Sequence, residues 1–224
     1  MLVKNRPVET DTLLERLDRL TVALAADVLD RLGFREQVLS HRIRPVAGPE
    51  HLAGRAFPVA AEVDSAILDE PYEHELAAVD ATPAGAVVVL ATGEYREAAI
   101  WGELLATRVI AQGSAGVVTD GAVRDLAGLR RLGLPTFAGA VSANDSRGRI
   151  TVRSWGRPTV CTGVAVAPGD LVLGDPDGVV VVPADAAADV LAAAEEKQAK
   201  EELARTLLTS GARAAEVWEQ HRVL

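Results

Sequence analysis

Several residue classes are scarce in this sequence, and each scarcity narrows what the protein can be. Among 224 residues there is a single cysteine, Cys161, so no internal disulfide can form and a reducing cytoplasm is expected. The net charge is −9 without any cluster of Lys and Arg, which argues against nucleic-acid binding. No apolar run reaches the length of a membrane span, and residues 1–20 lack the apolar centre of a signal peptide. We therefore expect a soluble cytoplasmic protein with neither a nucleic-acid nor a membrane partner.

The usual motifs of zinc and nucleotide sites are missing as well. The histidines are scattered and show no paired ligand spacing: His41, His51, His74 and His221. Neither GxGxxG nor GxxxxGK[ST] occurs, which removes the common dinucleotide and nucleotide-phosphate signatures. Cys161 lies in a predicted strand without a nearby acid–base motif, which favours a buried inert thiol over a nucleophile.

What remains is a chain whose hydrophobic patterns predict one α/β domain over residues 1–224, with helical extensions at both ends. Residues 1–33 are expected to form N-terminal helices, 34–183 an α/β core and 184–224 C-terminal helices. Apolar runs predict strands at 43–46, 55–63, 86–91 and 115–119, another from 135, and a β-meander over 149–183. Helical patterns cover 10–33 in two pieces, then 71–80, 102–112, the residues after 125 up to 131, 184–208, and a last piece near 217. Residues 93–96 are expected to be a polar loop.

The remaining chain is organised around residues 101–125, which predict a helix, a buried strand and a turn that ends in Arg124 and Asp125. The N-terminus of that helix offers free backbone N–H groups, which favour an anion. The carboxyl end of a strand in an α/β sheet is where ligands usually bind. Two chemically different features are therefore expected to meet here.

Three side chains in this stretch are candidates for chemistry. Asp125 and Glu103 are carboxylates, and carboxylates with water suit Mg²⁺ or Mn²⁺. Arg124 offers a planar fork of donors for a carboxylate or an enolate oxygen. Structural roles compete with these. Asp125 would serve as the N-cap of the following helix, Glu103 as a favourable acid in a first turn, and Arg124 as the partner of a surface acid.

Specific motifs carry a family resemblance. Gly102-Glu103-Leu104-Leu105 followed by Arg124-Asp125 resembles the signature of the RraA-like family, which includes 4-hydroxy-4-methyl-2-oxoglutarate aldolases. The similarity extends to residues 27–33, 145–149 and 168–183, and thus covers roughly residues 20–185. The acid and the Arg-Asp pair some twenty residues later are its specific part.

The resemblance implies a layered β/β/α fold of the swivelling-domain type, assembled as a homotrimer or hexamer. It also implies a class II aldolase, a lyase that uses Mg²⁺ or Mn²⁺ and accepts pyruvate-derived 2-keto acids. Carried over, the amides near Leu104 and Leu105 hold the substrate carboxylate, and Gly102 permits close approach. Arg124 binds the keto and carboxylate oxygens, and Asp125 anchors the metal. Glu103 completes the catalytic set.

This chain departs from the aldolase pattern at three places. The pattern has Asp where Glu103 stands, and some relatives carry an acid where this chain has Gly128. Residues 64–75 differ from a segment that often carries Asp-Asn in the family, so a different substrate-side wall is expected.

The implied reaction breaks the C3–C4 bond of a 2-keto acid and leaves a pyruvate enolate, through either retro-aldol cleavage or oxaloacetate decarboxylation. No base for the 4-hydroxyl proton is identified, although Glu195 or Glu196 is a candidate from a neighbouring subunit. The alternative function is a protein-binding regulator of ribonuclease E, since some RraA-like proteins act in that way. Methyltransferase activity is discounted, because the chain lacks a glycine-rich nucleotide loop after its first strand.

Overall fold

The computed structural model describes residues 11–67 and 69–223. The predicted start of the first helix at Thr10 lies outside these residues, as does the first half of the segment 1–20 searched for a signal peptide. Within the described residues, the structure contains no helix that is both long and apolar enough to cross a membrane.

Helices and strands alternate through the central part of the chain, and helices occupy both ends. The helices are α1 (Thr12–Leu17), α2 (Val22–Arg31), α3 (Glu73–Asp80), α4 (Glu103–Ala111), α5 (Leu126–Leu132), α6 (Ala187–Thr209) and α7 (Ala214–His221). The strands are β1 (Arg44–Ala47), β2 (Leu52–Val63), β3 (Ala86–Ala91), β4 (Ala99–Trp101), β5 (Gly116–Val123), β6 (Thr136–Val141), β7 (Ile150–Trp155), β8 (Thr159–Cys161), β9 (Val164–Val166), β10 (Leu171–Asp175) and β11 (Gly178–Val182).

A nine-stranded curled sheet organises the described residues, in the order β1-β6-β5-β3-β2-β10-β11, with β4 beside β5 and β7 beside β2. Strands β8 and β9 form a second, two-stranded sheet. The centre of the sheet is parallel, because β3 pairs in parallel with both β2 and β5, and β5 with β6. The flanking pairs are antiparallel, as in the β10–β11 hairpin. All carboxyl ends of the parallel strands therefore meet at one edge.

The side chains of β3 alternate between two hydrophobic cores, one on each face of the sheet. In β3, Val88 and Leu90 join a core beneath α3, α4 and α5, while Val87 and Val89 join a second core with β8, β9 and β11. Because successive side chains of a strand point to opposite faces, one buried strand serves both cores. The result is the expected β/β/α layering, with helices on one face and β-structure on the other.

The terminal helices cover the outer face of the β10–β11 hairpin. Leu171 and Val180 pack there against buried residues of α1, α2 and α6, including Val190 and Leu191. From the sequence, Val190 and Leu191 on the Ala-rich C-terminal helix are expected to present an apolar surface to a neighbouring subunit, with packing against their own domain as the alternative. The structure shows the alternative. Both side chains are fully buried within their own chain, because the long helix folds back onto the sheet.

The predicted elements are found with shifts of a few residues at their ends. One strand was not expected, because residues 93–96 were interpreted as a loop that leads directly into the helix at 102. The loop is followed by β4, an all-buried strand too short to show a pattern. Gly133 ends α5 in a left-handed conformation, as its position after the last apolar residue predicts.

Candidate active site

A cleft of about 240 Å³ opens at the carboxyl ends of the parallel strands. The turn after β5 and the residue after β4 form one side of it, and α3 and the loop after β6 form the other. The residues that line it include Tyr72, Glu75, Leu76, Trp101, Gly102, Leu104, Leu105, Arg124, Asp125 and Asp145. Of the sequence-predicted site residues, Gly102, Leu104, Leu105, Arg124 and Asp125 are brought together here.

Asp125 has an unusual backbone conformation for a residue other than glycine. Its φ is +59° and its ψ +40°, in the left-handed region, and its side chain makes no capping hydrogen bond to α5 within the described structure. An ordinary N-cap has extended backbone angles and accepts a bond from the first turn. Asp125 thus occupies the N-cap position of α5, and its carbonyl accepts from the backbone N–H of Leu129, but in the described structure its side chain does not cap the helix. Strained conformations of this kind concentrate at functional sites.

The side chain of Arg124 lies between two carboxylates. Its Nη1 is 3.1 Å from Oδ1 of Asp145, and its Nε is 3.8 Å from Oδ2 of Asp125. The backbone N–H of Arg124 donates to the carbonyl of Trp101 at 2.9 Å, which fixes the end of β5 against β4. Arg124 is about 39% exposed, so its remaining donors face the cleft.

Gly102 allows the groups around it to approach closely. A Cβ at this position would stand 2.8 Å from Oδ2 of Asp125, closer than real Cβ atoms approach, and 3.2 Å from Cγ of Arg124, tighter than most Cβ contacts. Gly102 also precedes α4, and in the described part of the chain no side chain caps that helix. The N-terminal amides of α4 thus open into the cleft, where they and the helix dipole favour a negatively charged group.

Glu103 is not among the residues that line the cleft. Its Oε1 is 2.6 Å from Nη2 of Arg131 on α5, and its carboxylate lies over Gly128. The structure therefore separates Glu103 from the Arg124–Asp125 pair and joins α4 to α5 through it.

Sequence reasoning missed the opposite wall. The hydroxyl of Tyr72 donates to Oδ2 of Asp145. Oδ1 of Asp145 is buried, and among the described residues its one polar contact is the ion pair with Arg124. Burial acts to raise the pKa of Asp145, but the hydrogen bond from Tyr72 and the charge of Arg124 hold it below its ordinary value. The same hydrogen bond to Asp145, with burial, raises the pKa of Tyr72. Asp145 therefore stays ionised and orients Arg124.

Glu75 also lies on this wall and has a different environment. Burial raises its pKa to about 7, against the hydrogen bond from Ser146 and the charge of Arg124, while the charge of Asp145 adds to the rise. The Ser146 hydroxyl donates to Oε2 of Glu75 at 3.2 Å. A carboxyl with a pKa near neutrality in a cleft is a candidate for proton transfer.

The sequence contains a pattern that predicts this wall. Tyr72 and Glu75 are three residues apart at the start of a helix, so they share one face. Asp145 follows β6, and the Asn144 carbonyl accepts from the backbone N–H of Ala99 at 2.9 Å, so its loop is tied to β4. Only the β4–loop contact brings Asp145 to the cleft, and sequence spacing does not reveal that contact.

A metal site here depends on few protein ligands. Among the described residues no group of three or more His, Cys, Asp or Glu side chains is arranged to hold a metal ion. Asp125 is about 48% exposed and directed into the cleft next to Gly102. A single carboxylate with several waters is an environment that Mg²⁺ accepts, so the residues present fit a weakly held hard cation.

The chain is similar to known proteins over most of its length. The model of the RraA-like family, described as Aldolase/RraA, matches residues 22–181. A putative 4-hydroxy-4-methyl-2-oxoglutarate aldolase of Halalkalibacterium halodurans is 34% identical over 183 residues, 79% of this chain and 79% of the relative. Protein DlpA of Legionella pneumophila is 25% identical over 97% of this chain, which spans only 35% of DlpA.

A solved structure shares the fold. RraAS2 of Streptomyces coelicolor, described as an unusual member of the RNase ES inhibitor RraA protein family, superposes with a TM-score of 0.81 and is 26% identical. The match covers 88% of this chain and 98% of RraAS2.

Proposed function

This chain belongs to the RraA-like family, and we propose that it is a divalent-metal-dependent pyruvate aldolase. It cleaves 4-hydroxy-2-keto acids such as 4-hydroxy-4-methyl-2-oxoglutarate to pyruvate, and it decarboxylates oxaloacetate. The observation that carries the proposal is the convergence of Arg124, Asp125 and the open N-terminus of α4 on one cleft. Relatives named as putative aldolases support the same reaction class.

The anionic end of the substrate binds at the α4 side of the cleft. The amides near Leu104 and Leu105 receive the substrate carboxylate, since they carry the partial positive charge of the helix N-terminus. Arg124 donates to the carboxylate and to the 2-keto oxygen, and Asp145 keeps its guanidinium in place.

Asp125 is the residue that would hold the cation, either directly or through water. A divalent cation bound there supplies fixed positive charge at the 2-keto oxygen. We infer Mg²⁺ or Mn²⁺, because Asp125 offers carboxylate oxygens, which these hard cations prefer. Gly102 leaves room for the Asp125 carboxylate, and any larger residue would displace it.

The protein's own contribution to the reaction is electrostatic. When the C3–C4 bond breaks, its electron pair moves into the pyruvate unit and negative charge develops on the 2-keto oxygen. The guanidinium of Arg124 is already held in position by Asp145 before negative charge develops on the 2-keto oxygen. Such preorganised positive charge is usually the largest contribution to transition-state stabilisation. If C4 leaves as part of a ketone, a base must remove the proton of the 4-hydroxyl group. If C4 leaves as carbon dioxide, no hydroxyl proton has to be removed.

Glu103 has an indirect part in this proposal. As the first residue of α4 it supplies an N-terminal amide, and its ion pair with Arg131 holds α4 against α5. A catalytic role for its carboxylate stays a prediction, because the cleft is lined by its neighbours rather than by its own side chain.

We also propose a homotrimer or hexamer in which the cleft lies against a neighbouring subunit. Its support is the exposed apolar rim of the cleft, where Leu104 is 82% and Leu76 51% exposed in the single chain. Glu195 is bound to Arg16 of its own chain at 2.7 Å, so a role for Glu195 in a neighbour's site requires that ion pair to open. Glu196 pairs with Lys200 on the same helix.

The test is pyruvate release from 4-hydroxy-4-methyl-2-oxoglutarate and from oxaloacetate, measured with a lactate dehydrogenase coupled assay. Turnover is expected with Mg²⁺ or Mn²⁺ and is expected to stop when a chelator is added and return when the metal is restored. A purified, folded protein that releases no pyruvate from either substrate with either metal would overturn the proposal.

The second candidate function is a protein-binding regulator of a ribonuclease, favoured by the likeness to RraAS2. A regulator of this kind acts through its surface, so Asp125→Asn would leave inhibition of the ribonuclease intact. Ribonuclease cleavage assays with the parent and this variant distinguish the two functions.

A further inference from the structure

The wall of the cleft formed by α3 carries a carboxylate that the binding of a 2-keto acid does not use. Glu75 lies between the cleft and a small apolar pocket formed by Val79, Leu90, Val152 and other core residues. Its carboxylate thus has a polar side, where Ser146 donates to it, and an apolar side. The α4 side of the cleft carries the groups that bind an anion, so the two walls differ in their chemistry.

The other ionisable groups of the cleft are poor candidates for moving a proton. Arg124 keeps its proton, and Asp145 is held ionised by Tyr72 and Arg124. Tyr72 has a raised pKa because it donates to Asp145, and Asp125 is the proposed metal ligand. The groups whose charges act on Glu75 are Asp145, on the same wall of the cleft, and Arg124 at the end of β5.

We propose that Glu75 is the general base of the aldol cleavage and removes the proton of the substrate's 4-hydroxyl group. This inference rests on the proposed function, whose base is otherwise unidentified. Glu75 lines the same cleft as Arg124 and the N-terminus of α4. In the proposed binding mode, a substrate held there by its C1 and C2 oxygens directs its C4 end toward α3.

The proton and electron balance is simple. The Glu75 carboxylate takes the hydroxyl proton, the C4–O bond becomes a carbonyl, and the C3–C4 bond breaks. Its electron pair forms the C2–C3 double bond of the pyruvate enolate, which then takes a proton from water at C3. Glu75 returns its own proton to water, and the site is ready for another turnover. Oxaloacetate decarboxylation breaks the same bond without removing a hydroxyl proton, so it has no need of Glu75.

The two substrates therefore provide the test. Glu75→Gln keeps the size of the side chain and removes its basicity, so retro-aldol turnover is expected to fall by at least about 100-fold. Decarboxylation of oxaloacetate by the same variant is expected to stay close to the parent rate. Glu73→Gln, an exposed acid on the same helix, is the matched control and should retain both activities.

Each other outcome has a distinct meaning. If the parent releases pyruvate from neither substrate, the proposed function is wrong, and so is the assignment of Glu75 as its base. If the parent is active and Glu75→Gln loses both reactions equally, or retains both, the aldolase can stand but Glu75 is not its base.

A second variant tests the same role without touching Glu75. The Ser146 hydroxyl favours the ionised form of Glu75, so Ser146→Ala should shift the acidic limb of the kcat/KM profile for aldol cleavage to higher pH. The pH profile for oxaloacetate should not move. An unshifted aldolase profile in a folded Ser146→Ala protein would overturn the assignment.

Discussion

The carboxylate of Glu103 occupies the space directly above Gly128. A Cβ on Gly128 would stand 2.2 Å from Oε2 and 2.3 Å from Cδ of Glu103. The sequence departs from the aldolase pattern at both positions, with a longer acid at 103 and no acid at 128. The structure indicates that the two departures are coupled. Because Gly128 has no side chain, the longer Glu103 side chain can pass over it and pair with Arg131.

Coupling of this kind is measurable in a double-mutant cycle. In a Glu103→Ala background, Gly128→Ala is expected to raise the free energy of unfolding by about 1 kcal/mol, because alanine suits a helix better than glycine. In the parent the gain should be smaller, since the new Cβ displaces the Glu103 carboxylate from Arg131. Urea denaturation of the four proteins checks this, and equal effects in both backgrounds would disprove the coupling.

Asp125→Asn is expected to keep the fold and remove metal-dependent turnover. Asparagine tolerates the left-handed backbone at this position, but its amide is a poor partner for a hard cation. Circular dichroism and thermal melting check the fold, and the pyruvate assay checks turnover over a range of Mg²⁺ concentrations. Asp185→Asn, an exposed acid outside the cleft, is the control. Full activity at ordinary metal concentration would show that Asp125 does not hold the cation.

Arg124→Lys is expected to impair catalysis far more than folding. A lysine ammonium is a compact point charge without the planar, two-pronged donor geometry of a guanidinium, so it cannot hold Asp145 and the substrate oxygens in the same arrangement. Oxalate has the shape of the pyruvate enolate and should inhibit the parent more strongly than this variant. Arg108→Lys, which affects an exterior ion pair with Asp80, is the control. Equal inhibition of parent and Arg124→Lys by oxalate would remove Arg124 from the keto-acid site.

The Glu75 carboxyl should make the free energy of unfolding depend on pH. Its pKa rises from 4.5 to about 7 on folding, so the folded protein binds the proton more tightly than the unfolded chain does. Stability from this group is therefore present below about pH 4.5 and is lost as pH rises through about 7. Relative to Glu75→Gln, the parent should lose at most about 3 kcal/mol over this range. Urea unfolding at several pH values measures the difference, and parallel curves for the two proteins would contradict it.

The mass in solution tests the assembly. Light scattering after size-exclusion chromatography should give three or six times the chain mass of 23.5 kDa at micromolar concentration. Because Leu104 and Leu76 are the exposed apolar residues at the cleft rim, Leu104→Glu should weaken the assembly without unfolding the chain. Leu203→Glu, an exposed leucine on α6, is the control. A monomeric parent would refute the proposed trimer.

The sequence by itself determined the α/β class and one half of the candidate site, while the layered β/β/α architecture came from the family resemblance. The all-apolar run of β3 predicts a strand buried on both faces, and the glycine-ended helical patterns predict α2 and α5, because these rules act over a few neighbouring residues. Arg124 and Asp125 are adjacent in the chain and follow a strand directly. Their meeting with Gly102 needs only the pairing of β4 with β5.

Tertiary structure alone decided the rest. Glu75 and Asp145 are distant from Arg124 in sequence and line the same cleft because α3 packs beside the loop that β4 anchors, where Ser146 bonds to Glu75. The pKa of Glu75 depends on how fully that packing removes its carboxylate from water, and no local pattern encodes that quantity. The same holds for Glu103, whose carboxylate pairs with α5 outside the cleft because Gly128 leaves space there. Which side chains fill a shared space is settled by the fold as a whole.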